Sequence, residues 1–315
     1  MRSKWKMGSL WTVALCLLLG CNDGNPLQPK SGGQPYEVLL VGDSGGVVMR
    51  QLTVDMAGLP QPEPWFDVVV TDSAGFQRNG KTMRNVVRVD VAPAATERTV
   101  IRYERNVFAA PQIIVHVLTP SWKALDDEMP ALGPRLRTLL DGAERSRKMA
   151  YLSSHHAMEP TAMVERKFGA QMWIPVEMKA SMQTDSFLWL SNDAAEGMCN
   201  ICIYRIASAD TARFVTARDS VMERNVKGET DRMHMATAPF PLQWLQGNDS
   251  TSWVARGLWE MVGDAMGGPF VARVMRQPDG TALVAESFVY APEGKKRNLL
   301  RRTEASLFTF KKVKE

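Results

Sequence analysis

The sequence predicts an α+β fold in two halves, each a mostly antiparallel sheet backed by helices. Three observations predict it. The 315 residues are 45% hydrophobic and 23% charged, enough for a full core without disulfide staples. Short β-rich runs recur through both halves, and each half closes on a stretch whose apolar residues have helical spacing. The closing units also share a pattern: Ile113 through Thr119-Pro120 runs into a helix, as Ala285 through Ala291-Pro292 does. That pattern admits an internal duplication.

The chain opens with Arg2, Lys4 and Lys6 ahead of an apolar run from Leu10 to Leu19, ending in Leu18-Leu19-Gly20-Cys21. The run is about half the ~20 residues of a membrane span, so residues 1–20 read as a signal peptide. Gly20-Cys21 resembles the lipobox of bacterial lipoproteins. That resemblance implies cleavage before Cys21 and acyl chains, palmitate among them, on its sulfur and new amine. Several chains, each worth about 0.8 kcal/mol per buried CH₂, give a stable membrane anchor. Asn22 follows Cys21 and no acidic cluster comes after it, so the expected location is the outer membrane, facing the periplasm. Loss of Arg2, Lys4 and Lys6 leaves 35 cations against 34 carboxylates, so the basic isoelectric point belongs partly to the precursor. No Lys/Arg run with interleaved aromatics follows, which argues against nucleic-acid binding. Lys295, Lys296, Arg297, Arg301 and Arg302 read as a solvated helix face, with a contact to anionic head groups as the alternative.

Residues 21–35, rich in Gly, Pro and polar side chains, read as a flexible tether. The first half, 36–168, has strand-like runs at 36–42, 66–71, 84–91, 98–103 and 112–118. Thr119 is placed to cap a helix with Pro120 at its first position, and Trp122, Leu125 and Met129 share a face. Pro134 restarts the pattern through Leu136, Leu139, Leu140 and Ala143, and a further helix from Pro160 ends at Gly169. The second half, 169–315, has strand-like runs at 171–176, 186–191, 199–206, 252–262, 269–276 and 281–290. A helix is expected at 209–224, and a last one opens at Pro292 and stacks Leu299, Leu300 and Leu307.

Once Cys16 leaves with the signal and Cys21 is acylated, Cys199 and Cys202 remain. In a strand, residues three apart face opposite ways with Cα atoms about 10 Å apart, beyond the ~7 Å reach of a disulfide. Both therefore read as structural. Adjacent His155 and His156 on a helix diverge by about 100°, and His116 alternates out of a strand, so no metal site is expected. Gly263-Asp264-Ala265-Met266-Gly267-Gly268-Pro269 lacks the Lys-Ser/Thr of a phosphate loop and reads as a turn between strands. No cofactor is implied.

Gly42-Asp43-Ser44-Gly45-Gly46 repeats the nucleophile signature of trypsin-like proteases, yet all four histidines lie after it. The stronger rival is the GDS-type esterase family, which Glu37 through Ser44 resembles. That resemblance makes Ser44 the nucleophile, His234 the base and Asp231 its orienting group. Against it, Leu190-Ser191-Asn192-Asp193 lacks the family's Gly, and a regular β-α-β alternation is not visible. Binding is preferred to catalysis, and Arg84-Asn85, Arg105-Asn106, Arg256, Trp259 and Asp264 are the candidate ligand residues. If they converge, an arginine fork with aromatic walls can hold an anionic or sugar-bearing envelope component. The plainer reading pairs each Arg with a structural carboxylate and buries each Trp in a core. A partner protein in the envelope is the other expected class of contact.

The phrases at 58–64, 84–90, 106–112, 255–271 and 297–307, among them Arg84-Asn85-Val86-Val87-Arg88-Val89-Asp90 and Arg297-Asn298-Leu299-Leu300-Arg301-Arg302-Thr303-Glu304, resemble the lipoprotein family called domain of unknown function 4837, of Bacteroides-type bacteria. Read across residues 35–312, the resemblance implies an envelope lipoprotein and supplies no activity. Mass spectrometry of the mature N-terminal peptide is expected to find Cys21 acylated. Cys21→Ala is expected to move the protein out of the membrane fraction.

Overall fold

The computed structural model describes residues 28–230, 232–246 and 251–313. The signal segment, Cys21, tether residues up to 27 and Asp231 lie outside the described residues.

The first half is built on apolar strands β1 (Glu37–Val41), β2 (Asp67–Thr71), β3 (Asn85–Val91), β4 (Val100–Arg105) and β5 (Ile113–Thr119). They lie in the order β2-β1-β3-β5-β4, with β1 parallel to β2 and β3, β3 parallel to β5, and β4 antiparallel to β5. The α+β class stands, but this half is mostly parallel. Its crossovers hid that. They are α1 (Val47–Leu52) and the single turn α2 (Ser73–Gly75) running into a π-turn at Phe76–Gly80, too short to show helical periodicity. The central strands are buried on both faces and so show no alternation.

One face of this sheet is covered by α3 (Trp122–Ser154), which buries Leu125, Met129, Leu136, Leu140 and Ala143 against it. Ser121, not Thr119, caps α3: its Oγ accepts from the Ala124 N–H at 3.1 Å, while the Thr119 hydroxyl donates to the Ser121 carbonyl at 2.9 Å. The helix runs unbroken through Pro130 and Pro134. Both prolines are exposed, so the carbonyls they leave unbonded lie toward solvent, and the helix need not restart.

The second half begins with α4 (Met158–Phe168), ended by Gly169 at φ 65°. The expected strand at 171–176 shrinks to β6 (Ala170–Gln171), which pairs with β15 (Lys311–Lys312) near the C-terminus. The main sheet contains β7 (Lys179–Gln183), β8 (Phe187–Ser191), β9 (Met198–Ile206), β10 (His234–Thr237), β11 (Gln243–Gln246), β12 (Ser252–Val262), β13 (Gly267–Arg276) and β14 (Ala282–Tyr290). Seven strands follow the antiparallel order β10-β12-β13-β14-β9-β8-β7, and β11 also pairs with β12. The two sheets share no strand order, so the similar closing phrases do not mark a duplication.

Helices α5 (Phe214–Asn225) and α6 (Arg297–Leu307) cover opposite faces of this sheet. Cys199, Ile201 and Ile203 of β9 enter the core beneath α6, while Cys202, Tyr204 and Ile206 enter the core beneath α5. The two cysteines are thus free, buried and on opposite faces, as their spacing predicts. The turn at 263–266 joins β12 to β13 as expected, and a side chain at Gly268 would fall 2.1 Å from the Val289 carbonyl oxygen.

Tether residues 28–35 are strapped to the first half rather than free. The Ser31 and Ala110 N–H groups donate to Ala110 and Pro29 carbonyls at 3.0 and 2.9 Å, and those of Gly32 and Arg84 donate to Thr82 and Gly32 at 2.8 and 2.9 Å. The strap thereby satisfies backbone groups just ahead of β3 and β5.

The core beneath α5 contains a buried ion pair, Arg218 with Glu286 on β14, at 2.7 Å and with neither side chain exposed. The Tyr204 hydroxyl donates to the same carboxylate at 2.7 Å, Arg218 also donates to Thr237 Oγ1 at 2.9 Å, and its guanidinium lies 4.1 Å over Phe270. Removing one charge strands the other in a dry site. Glu286→Gln is expected to cost about 3–5 kcal/mol in urea denaturation, whereas the paired change Arg218→Met with Glu286→Leu recovers most of that.

Candidate functional site

Apart from exposed Lys295 and half-exposed Arg302, the C-terminal basic stretch is not a solvated face. Lys296, Arg297 and Arg301 are 4%, 3% and 2% exposed, because the first half supplies their partners. Glu63, buried in the loop before β2, accepts from the Lys296 and Arg297 backbone N–H groups at 2.7 and 3.1 Å and so caps α6. Arg297 pairs with Asp67 and donates to the Pro64 carbonyl. Arg301 lies 4.1 Å over the Tyr36 ring and 5.2 Å over Trp65, donates to the Trp65 carbonyl at 2.7 Å, and has Asp141 of α3 at 3.4 Å. Burial holds its guanidinium below the usual arginine range, with Asp141 partly opposing.

Where α6 passes α3, a cleft of about 600 Å³ opens between the halves, lined also by the strap. Glu144, Arg147, Lys148 and Tyr151 reach it from α3, spaced i, i+3, i+4 and i+7 on one helical face. Asn298, Leu299, Arg301 and Arg302 reach it from α6; Lys30, Ser31, Pro35, Tyr36, Arg84 and Pro111 complete the wall.

Glu144 is the lining carboxylate and is buried. Its Oε1 accepts from Asn85 Nδ2 at 2.7 Å and Arg147 Nη1 at 2.9 Å, and Arg84 Nε lies at ion-pair distance, 3.1 Å, without a hydrogen bond. Arg147 also donates to Asn85 Oδ1 and the Arg84 carbonyl, both at 2.8 Å. Arg302 has Glu177 at 3.8 Å, outside the lining, and donates to Cys199 Sγ at 3.4 Å. Among the described residues, Lys30 and Lys148 have no carboxylate within ion-pair distance. Six cations therefore line the cleft, and Glu144, Asp141 and Glu177 offset three of them. The titration of the site reflects this. Burial, aided by Arg84 and Arg105 and opposed by Glu144, pushes the Arg147 guanidinium down to about 10. Burial also lowers the Lys148 ammonium, with Arg302 adding to the effect and Glu177 opposing it.

Of the residues singled out in the sequence, Arg84 lines the cleft and Asn85 is bonded directly behind it. Arg105 ends β4, 5.6 Å over the Tyr103 ring, close enough to act on Arg147. Asn106, at φ 53°, shapes a turn and accepts from the Gln112 N–H at 2.9 Å. The others do not converge. Arg256 pairs with Glu304, Trp259 is 2% exposed and donates to the Val289 carbonyl at 3.2 Å, and Asp264 caps the β12–β13 turn. For Arg256 and Trp259 the plainer reading holds. Arg301 and Arg302 belong to the basic stretch whose alternative reading was a contact to anionic head groups, whereas Lys30, Arg147 and Lys148 were not expected at a site; the signal available was the charged i, i+3, i+4 row on α3.

The structure does not join the elements of the esterase alternative. A β-α-β path is present only from β1 through α1, β2 and α2 to β3, and strand β4 rather than a helix links β3 to β5. Ser44 lies in the loop following β1, where Asp43 accepts from the Val47 and Met49 N–H groups at 3.1 and 2.8 Å. His234, however, opens β10 at an edge of the other sheet, with Nδ1 3.3 Å from the Arg232 carbonyl. No hydrogen bond joins it to Ser44 among the described residues, and Asp231 lies outside them. No group of three or more His, Cys, Asp or Glu among the described residues is placed to hold a metal ion.

This geometry, a helix-flanked cleft between two dissimilar α+β halves, coincides with a division in sequence similarity. Residues 157–309 match the family described as Domain of unknown function (DUF4837), and residues 31–152 match one described as Domain of unknown function (DUF8532). The resemblance to the first family is therefore carried by the second half of the chain, while the first half is similar to another family. No curated protein matches. Among solved structures, the Saccharomyces cerevisiae Ran-binding protein Mog1p is 10% identical over 45% of this chain and 89% of its own, with a TM-score of 0.32. The human StarD13 lipid transfer and protein localization domain is 9% identical over 41% and 88%, with a TM-score of 0.24. A Bacteroides thetaiotaomicron structure is 15% identical over 47% and 46%, with a TM-score of 0.26. Scores this low establish no common fold and carry no functional inference.

Glu144→Gln removes the partner shared by Arg84 and Arg147 and is expected to cost about 3 kcal/mol of stability. Added sulfate is expected to restore part of that loss, read as a larger rise in Tm than in the parent protein.

Proposed function

We propose that the protein is a lipid-anchored component of the bacterial cell envelope, held by Cys21 at the periplasmic face of the outer membrane, that binds an anionic ligand in the cleft between its halves. The observation that carries this reading is the surplus of cations around a cleft of about 600 Å³, a volume within the usual range for a whole small ligand. Binding is favoured over catalysis by what lines the cleft. It has neither Cys nor His, and the Ser31 hydroxyl is committed to the Pro111 carbonyl at 2.7 Å. Arg84 and Arg302 offer planar donors to a phosphate or carboxylate, while Lys30 and Lys148 supply charge with no carboxylate at ion-pair distance among the described residues.

Titration calorimetry with inorganic phosphate is expected to detect binding, weakened about tenfold by the paired substitution Lys30→Ala and Lys148→Ala, the equivalent of one lost charge-assisted contact. Absence of binding to phosphate, sulfate and carboxylates overturns the reading. The pH dependence has a fixed sign. Lys148 is already lowered by burial in the free protein, and a bound anion favours its protonated form. Affinity for sulfate, which itself carries no proton to lose here, therefore falls as pH rises through the lowered Lys148 range, with proton uptake on binding in that window. Lys148→Met abolishes this part of the pH dependence.

A further inference from the structure

The cleft is not uniformly charged, and where the chain enters it bears on what it binds. Tyr151, 49% exposed, and Leu299, Pro35 and Pro111 give it an apolar wall beside the cations. A bare inorganic anion leaves that wall wet, whereas a ligand with an anionic head and a hydrocarbon part covers both. The strap places Lys30 and Ser31 in the same wall. Seven residue steps separate Cys21 from Gln28, so a chain anchored at Cys21 holds residue 28 within about 25 Å of the anchoring atom. The cleft is thus confined close to a bilayer surface whenever the anchor is in place.

Resting on the anion-binding reading above, we infer that the ligand is an anionic phospholipid of the membrane that anchors the protein. Its phosphate is held among Arg84, Lys30, Lys148 and Arg302, and the upper part of its acyl chains lies against Tyr151 and Leu299. This assigns the cleft to a lipid head and its first methylenes, not to a soluble metabolite. The unpaired lysines supply the initial attraction to an anionic surface, about 1 kcal/mol each near the headgroups. Arg84, whose terminal nitrogens make no hydrogen bond among the described residues, provides a planar fork for two phosphate oxygens.

The test uses the full lipidated chain in phosphatidylcholine vesicles containing a photoactivatable phosphatidylglycerol, with crosslinked peptides mapped by mass spectrometry. The expected result is labelling within residues 147–151 and 298–302. Yield is expected to fall at least about tenfold in the paired variant Lys30→Ala and Lys148→Ala. Both lysines lack ion-pair partners among the described residues, so the variant retains the fold's own charge pairs. Equal labelling by a photoactivatable phosphatidylcholine overturns recognition of the anionic head, and labelling confined to other segments overturns the cleft as the site. No labelling while calorimetry detects phosphate binding assigns the cleft to a free anion, which overturns the lipid inference while leaving the anion-binding reading intact. No labelling together with no phosphate binding in calorimetry overturns both.

Discussion

Two arginines of one helix cannot stay buried without the other half of the chain. Arg297 and Arg301 reach across to Asp67, Asp141 and the rings of Tyr36 and Trp65, while Glu63 closes the N-terminus of the helix on which they sit. Arg256 completes the row from below by pairing with Glu304. A guanidinium taken out of water is costly unless its charge is met, and the carboxylates, carbonyls and rings that meet these charges hold α6 in one position against the first half. Apolar contact between the halves adds to this but has no comparable directionality.

That fixed position creates the cleft. With α6 docked on the Trp65 and Tyr36 side, α3 and α6 diverge where Tyr151 and Leu299 stand apart, and the strap closes the third side. Glu144 holds Arg84, Asn85 and Arg147 together, so it organises the wall while offsetting only one of its two arginines. Structural pairing and surplus charge therefore arise from the same network. The Arg218–Glu286 pair on the opposite face of the second sheet is a contrast: its charges match, its donors are met, and it leaves nothing for a ligand.

The second half was the more legible in sequence. Strands β9, β12, β13 and β14 are long, and the opposite placement of Cys199 and Cys202 followed from the period of two. The parallel sheet of the first half was not legible, because α1 has six residues and the strands it connects are buried on both sides. Pro134 suggested a break that its exposed position made unnecessary. The site was hardest to read for a plain reason. Glu63 meets Lys296 across 233 residues, and no local pattern announces such a partner. Arg84 was found because it opens a strand next to a polar Asn, whereas Lys148 on a long helix looks like any solvated lysine until its neighbours are known.

The strap has a mechanical consequence. Behind the Gln28 side-chain bond to the Asn106 carbonyl, a pull on the chain ahead of residue 28 is borne by the bonds of Pro29, Ser31 and Gly32 to Ala110, Thr82 and Arg84. These residues border Lys30, Arg84 and Pro111 or are among them, so tension is delivered to the wall of the cleft before it reaches either hydrophobic core. The cleft is accordingly the part of the molecule whose shape responds first to load.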